Sequence, residues 1–464
     1  MTARERATVA PGTDHPGNPV GRTEPRERTP WLLAFLCLLI GFLPSYSVPP
    51  GPLKSNGSPA TLIAITLFGL CLLGFAVIRR TSSTQIVRPG VVVILLYFLL
   101  NLAVLGVGLS HLGSALVETS KSRAIIGMMI TVGVALYTMT RIETTRQRSI
   151  VLGCLAISLS FACLVAVLQN ATRIDLHLLL QPPGFVLNTT DQGRGAGGEI
   201  LSERFGSVRA LGTAIHSIEL SVMAAVAVPL TIHFGRHAAN RQVRWLAWLA
   251  CGVALLAIPA SVSRSGLLAL FAALLVFIWA CKVRQIITAL VAFAVFVGVE
   301  MVAFPKNTHA MWQTIVTARE DPSITDRTAD YAKVSQTFHS SPVFGIGPGG
   351  SLPSVYGFLD NQWLQAIVQG GIVGVAAMLV LAGGGIFGVS AALRRATTPR
   401  ERDQAYTMGA MLVAILASSF TFDLFSFPQV TFIFFVLFGL LWSKFTVSLP
   451  ESKTAPPAVG RGAG

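Results

Sequence analysis

Three arginines, an acid–amide pair and a glycine-rich turn are the parts of this chain that can do chemistry. Arg264 lies in Ser261-Val-Ser263-Arg264-Ser-Gly266, a short polar link between two apolar stretches. If Ser263 caps the following helix, Arg264 falls in its first turn, where a cation opposes the helix dipole but helps it hold an anion such as phosphate. Snorkelling of the arginine to a membrane interface is the plain alternative. Arg327 stands in the polar run ITDRTADYAKVSQTFHSSPVFGIGPGG, again in a predicted first turn, where a solvated pair with Asp330 is the competing reading. That run leads to Asp360-Asn361-Gln362-Trp363-Leu364. The Asp360 carboxylate can act as a base facing an outer cavity or as a simple helix N-cap, and Trp363 can be an interfacial aromatic. His216 and Glu219, three residues apart, share one helix face and are either site residues or a mutual structural pair. Glu300 and Asp423 are weaker candidates of the same kind.

Stepping outward, these residues need a membrane scaffold. The 464 residues are 52% apolar and only 12% charged, against about 25% charged in soluble domains. Twelve apolar stretches can cross a core about 30 Å thick, near 31–47, 59–78, 90–110, 124–140, 149–168, 212–234, 245–260, 265–281, 285–304, 364–391, 405–421 and 428–446. The expected fold is therefore an all-α polytopic membrane protein with about twelve transmembrane helices. The net charge of +14 raises the question of nucleic acid, but its distribution answers it. With the N-terminus cytoplasmic, the connections placed inside hold most of the Lys and Arg, while the rest of the chain is near balance. Both termini then lie in the cytoplasm, and nucleic acid is not indicated.

Two outside connections are long, 169–211 and 305–360, and loops of that length are usually functional. The first carries Gln181-Pro-Pro-Gly184 and Gly193–Gly198 and reads as a lid or a tether. In the second, lying between the ninth and tenth transmembrane helices, Ser323-Ile-Thr-Asp326 fits a capping box for a short helix running to about Ser340. Gly345–Gly350 lacks the Lys-Ser/Thr of a nucleotide loop and reads as a turn allowing close backbone approach. Residues 1–30 and 447–464 are expected to be disordered cytoplasmic tails around a 31–446 membrane domain, and the first apolar run reads as a retained helix rather than a cleaved signal. All six cysteines fall in apolar segments and read as small buried hydrophobes, not metal ligands or disulfides.

The order of these motifs between Arg204 and Val373 resembles the O-antigen ligase/polymerase superfamily of bacterial envelope glycosyltransferases. The resemblance implies a multi-pass plasma-membrane enzyme without metal or other cofactor. It implies transfer of a glycan from an undecaprenyl-diphosphate carrier to the hydroxyl of an acceptor glycan or glycolipid, with inversion, at the extracytoplasmic side of the bilayer. The family's serine-arginine-glycine motif falls on Ser263, Arg264 and Gly266, its loop arginine on Arg327, and its proline-glycine-glycine turn on Pro342, Gly345 and Gly347. The preceding arginine matches Arg209, with Arg204 as the alternative. Arg264 and Arg327, with Arg209, are thereby implied to clamp the diphosphate, Asp360 to take the acceptor proton, and Asn361 and Trp363 to orient sugar. Asp360 replaces a histidine common in ligases and Ser217 a common proline, which leaves the base open. A twelve-helix transporter and a non-catalytic assembly scaffold are the rival readings. Transporters, however, usually place their sites midway across the membrane. The oligomeric state, the sugars and the choice between ligase and polymerase are not legible in the sequence.

Overall fold

The computed structural model describes residues 29–45, 47–51, 57–77, 86–109, 115–187, 201–317, 322–357, 359–443 and 447–448. In chain order the elements are α1 (Trp31–Phe42), β1 (Ser47–Val48), α2 (Pro59–Val77), β2 (Ile86–Val87), α3 (Pro89–Gly108), α4 (Ala115–Arg141), α5 (Thr145–Thr172), α6 (His177–Leu180), β3 (Val186–Leu187), β4 (Ser202–Arg204), β5 (Ser207–Arg209) and α7 (Ser217–His237). There follow α8 (Arg241–Ala260), α9 (Arg264–Phe277), α10 (Val283–Ala303), α11 (Pro305–Val316), α12 (Pro322–Ser340), α13 (Pro353–Tyr356), α14 (Gln362–Arg395), α15 (Pro399–Ser418), α16 (Pro428–Trp442) and β6 (Val447–Ser448). Each of the twelve predicted apolar stretches coincides with a helix. Seven of those helices, α3, α4, α5, α7, α8, α10 and α14, are long and apolar enough to cross a membrane. The chain is an all-α polytopic membrane protein in outline; the strands among the described residues form three two-stranded antiparallel pairs, β1 with β3, β2 with β6 and β4 with β5.

A helix that is apolar all round must be buried in protein or face lipid on every side. Both solutions occur here. In α16 every residue from Gln429 to Trp442 is buried, and α7 is enclosed nearly as fully, so these two form the centre of the bundle. In α10 Glu300 is the one buried residue, and the rest of its apolar surface is open. α9, α14 and α15 pack around the central pair and bring their ends to one level.

The connections fall into two sets, one at each end of the bundle. One set joins 43–58, 173–216, 261–263, 304–361 and 419–427. Its contacts include Ser45 N–H to the Thr213 carbonyl, Ala210 N–H to the Ala260 carbonyl and Gln362 N–H to the Ser419 carbonyl. The other set is rich in arginine. There Arg88 donates to the Met139 carbonyl at 2.9 Å, Arg148 to Ser443 Oγ at 3.0 Å, and Thr145 Oγ1 to Glu401 at 2.9 Å. Alternating helices therefore put Arg264 and Asp360 at one end of the bundle and the arginine-rich connections at the other.

Two expectations need correction. The sixth apolar stretch was expected to be helical from 212, but α7 begins at Ser217. The preceding turn is buried because Gln169 supplies its hydrogen bonds: Oε1 accepts from the N–H groups of Leu211 and Gly212, and Nε2 donates to the Gly212 carbonyl. A buried backbone with such a partner has no need of helix. The long 305–360 connection carries short helices as expected, α11, α12 and α13, but α12 begins at Pro322, so Ser323 lies inside its first turn rather than at the cap. Gly193–Gly198 and both tails apart from residues 29–30 and 447–448 lie outside the described residues, whereas Gln181 is described and donates to the Phe185 carbonyl.

α14 is broken. Gly371 has φ +57° and ψ −144° inside it, and the segment 342–347 fills the break. Ile346 and Gly347 donate N–H groups to the carbonyls of Val368 and Gln369, while Ile372 and Val373 donate to those of Pro342 and Val343. A Cβ on Gly371 would stand 2.5 Å from the Pro342 carbonyl oxygen, and one on Gly345 (φ +57°) 2.4 Å from that of Val368. Gly371→Ala must therefore strain the backbone and push the segment off. It is expected to destabilise the protein by at least about 2 kcal/mol, read as a fall in melting temperature of the detergent-solubilised protein. An unchanged melting temperature would show the break to be pliable.

Candidate active site

The expected cluster is built around the first turns of α7 and α9. Gly266 lets α9 sit directly on α7, since a Cβ there would lie 2.6 Å from Ser221 Cβ. The turn into α9 runs through Val262, which is fully buried and has φ +47°. A β-branched residue in that region is strained, and such strain persists only where the surroundings impose it, often at functional sites. Ser263 occupies the N-cap position as expected, but its side chain makes no capping hydrogen bond. Arg264 is the first helical residue of α9. Arg264 is half-buried and its Nη1 donates to the Thr314 carbonyl of α11 at 3.1 Å. A cation in a helix's first turn opposes the dipole and, together with it, suits an anion.

Arg209 ends β5, and the next residue, Ala210, donates its N–H to Ala260 at the end of α8. The same hairpin is tied to α11 through Ser207 Oγ and Asn307 Oδ1 at 2.8 Å. Arg209 and Arg264 therefore flank α11, from β5 and from the α8–α9 turn. Arg204, the alternative, lies over the ring of its neighbour Phe205 at 5.6 Å. The backbone of Arg327 belongs to α12, seven residues before Val334; its side chain lies outside what is described. Val334 packs with Leu359, Leu364 and Val368, so α12 is seated on the start of α14.

His216 and Glu219 are each engaged with backbone. His216 is the N-cap of α7, where its Nδ1 accepts from the Ile218 N–H at 3.1 Å, and its ring meets Phe427 at 6.2 Å. Glu219 is fully buried. Its Oε2 accepts from Ile215 N–H at 3.0 Å, and Oε1 from the N–H groups of Gln429 at 2.9 Å and Val430 at 3.3 Å. Those last two are N–H groups of the first turn of α16, whose N-cap position holds Phe427, a residue unable to cap. Glu219 caps α16 from a neighbouring helix.

The Asp360 segment lies on the other side of the same helix ends. Asn361, not Asp360, caps α14: its Oδ1 accepts from Trp363 N–H at 2.9 Å and Leu364 N–H at 3.3 Å. The capping reading of Asp360 is corrected by one residue. Trp363 Nε1 donates to Ser419 Oγ at 3.0 Å, and its ring stacks on Phe420 at 5.3 Å. Phe420 is 57% exposed, so the open aromatic face at this end belongs to a residue the sequence reading passed over. Asp423, rated weaker in sequence, is close enough to Asp360 to feel its charge. Burial pushes the Asp423 carboxyl up to about 6, and the negative Asp360 adds to the rise against the hydrogen bond from Ser426.

A chain of amides connects this carboxylate to the broken helix. Gln365 Nε2 donates to Asp423 Oδ2 at 3.1 Å, and Gln369 Nε2 donates to Gln365 Oε1 at 2.8 Å and Ser351 Oγ at 2.7 Å. Gln369 Oε1 in turn accepts from the Gly349 N–H at 3.0 Å. Gly345 and Gly347 act through backbone: they lock the turn into α14, and Gly347 approaches Gly108 and Lys121. Lys121, buried and bonded to the Gly108 carbonyl at 2.7 Å, is a further cation at this end that sequence reasoning missed.

Replacing Glu219 tests the capping role. Glu219→Ala leaves the buried N–H groups of Ile215 and of the first turn of α16 without acceptors and should cost on the order of 2–3 kcal/mol. Glu219→Gln keeps one acceptor oxygen and should recover part of that loss in thermal unfolding. Equal stability of all three proteins would dismiss the cap.

Residues 249–379 match the family described as O-antigen ligase. The match runs from within α8 to the middle of α14 and takes in Arg264, Arg327, the 342–350 turn and Asp360–Trp363, but not Arg209, His216 or Glu219. No curated protein matches the chain. With the motif order and the helical architecture described above, the match over that segment supports a relationship to the O-antigen ligase/polymerase superfamily.

Proposed function

We propose that this protein is an inverting membrane glycosyltransferase, transferring or polymerising a glycan from an undecaprenyl-diphosphate carrier onto an acceptor hydroxyl at the extracytoplasmic face of a bacterial plasma membrane. The observation that carries the reading is Arg264 as the first residue of α9, after the strained Val262 turn and an N-cap Ser263 whose side chain makes no capping hydrogen bond. The positive-inside rule supports the sidedness, because the opposite end holds the arginine-rich connections. All twelve apolar helices then cross the membrane.

In the reaction, the acceptor oxygen attacks the sugar C1 from the face opposite the diphosphate, and the C1–O bond to phosphate breaks. The electron pair of that bond leaves on the diphosphate, whose growing charge Arg264 and Arg327 hold bidentately, with Arg209 beside them. The hydroxyl proton passes to the Asp360–Asp423 carboxylate pair. Trp363 and Phe420 form the aromatic wall for sugar, and Asn361 holds the start of α14 in place. His216 and Glu219 shape the site by fixing α7 and α16. A transporter reading receives less support, since the described candidate residues gather at one end rather than midway along the helices.

Arg264→Ala and Arg327→Ala should each lower transfer by at least about 10²-fold while the protein still inserts normally; wild-type transfer in either variant would remove the clamp. Loss of the gene should leave lipid-linked single repeats if the enzyme is a polymerase and full-length unattached chains if it is a ligase.

The pH dependence has a definite sign. A base works when ionised, so transfer should fall as pH drops through about 6, the region where Asp423 takes up its proton. Asp423→Asn should abolish that acidic limb in a pH–rate profile. An identical limb in the variant would assign it to another group.

A further inference from the structure

At the arginine-rich end, far along α7 from the site above, three donor side chains converge. His233 and His237, four residues apart, present one face of α7, and Asp403 meets them from α15. Asp403 Oδ2 lies 2.6 Å from His233 Nδ1 and 3.3 Å from His237 Nε2, while Oδ1 faces Arg236 Nη1 at 2.8 Å. His233 and Asp403 are 1% and 5% exposed, and His237 25%. His237 Nε2 is buried and makes no hydrogen bond.

We propose that His233, His237 and Asp403 form a binding site for a divalent transition-metal ion, with zinc the best-fitting class. Two imidazoles and a carboxylate are a zinc donor set. Bonds of about 2.0–2.1 Å in a tetrahedron place neighbouring donor atoms about 3.3 Å apart, which is the His237–Asp403 separation. That explains a buried nitrogen aimed at a carboxylate oxygen without a hydrogen bond to it. His233 exchanges its hydrogen bond for the ion, and Arg236 holds the other carboxylate oxygen in the outer sphere, as ligating carboxylates commonly are held. The ion ties α7 to α15, two helices that carry the active-site end, so its role is to fix the scaffold. This site departs from the expectation of no metal and is independent of the transfer reaction.

The test uses the full chain purified in detergent without chelator and Co²⁺ as the probe. One equivalent of Co²⁺ should bind with the visible absorption of a tetrahedral ion, be displaced by Zn²⁺, and raise the melting temperature. His237→Ala, chosen because its side chain is the most exposed of the three, should melt like the metal-free wild type and bind Co²⁺ at least about tenfold more weakly. Wild-type protein that takes up no Co²⁺, or a His237→Ala variant that binds it equally well, overturns the proposal and leaves the cluster as a charge clamp between helices.

Discussion

The carboxylate of Glu219 holds the central pair of helices in register. It sits on α7 and receives the first N–H groups of α16, so one buried group sets where the two central helices begin. An aromatic residue at the N-cap of α16 makes this dependence unavoidable, because those N–H groups have no water to turn to. The level of α7 then sets the level of α9 through the Gly266–Ser221 contact, and the level of α16 sets the 419–427 turn with Asp423. One residue that bonds to neither Arg264 nor Asp423 thus aligns the helices that carry them.

The long connection between α10 and α14 is an extension of the bundle rather than a loop over it. Its 342–347 segment completes the hydrogen bonding of a helix that stops and restarts at Gly371. Irregular backbone at such depth survives only where protein groups satisfy it. The break also turns Gln365 and Gln369 toward Ser351 and Asp423, so the turn and the carboxylate share one polar chain.

Much of this was legible in the sequence, for reasons that differ by residue. Helix positions follow from apolar stretches of membrane length, and Arg264 stood out because an arginine in a helix's first turn opposes the dipole. Asp360 and Asn361 are both good caps, and pattern alone cannot choose between neighbours; the turn geometry chose Asn361. Glu219 was noticed for its depth, but its partners lie about 210 residues away, beyond any local pattern. The break at Gly371 was hidden because paired glycines in an apolar helix usually serve close packing. His233 and Asp403 form no motif, being 170 residues apart on different helices.

Among the described long helices α10 packs against the least protein, so in a bilayer it would face acyl chains. Acyl chains have no shape to match, so Val, Leu, Ile and Phe are interchangeable along most of its length. Drift should be fast there and should erase recognisable identity while leaving hydropathy intact. At Gly371 a single methyl group is too much. The same chain therefore holds a stretch where sequence carries almost no information and, some seventy residues on, a position where it has no freedom at all.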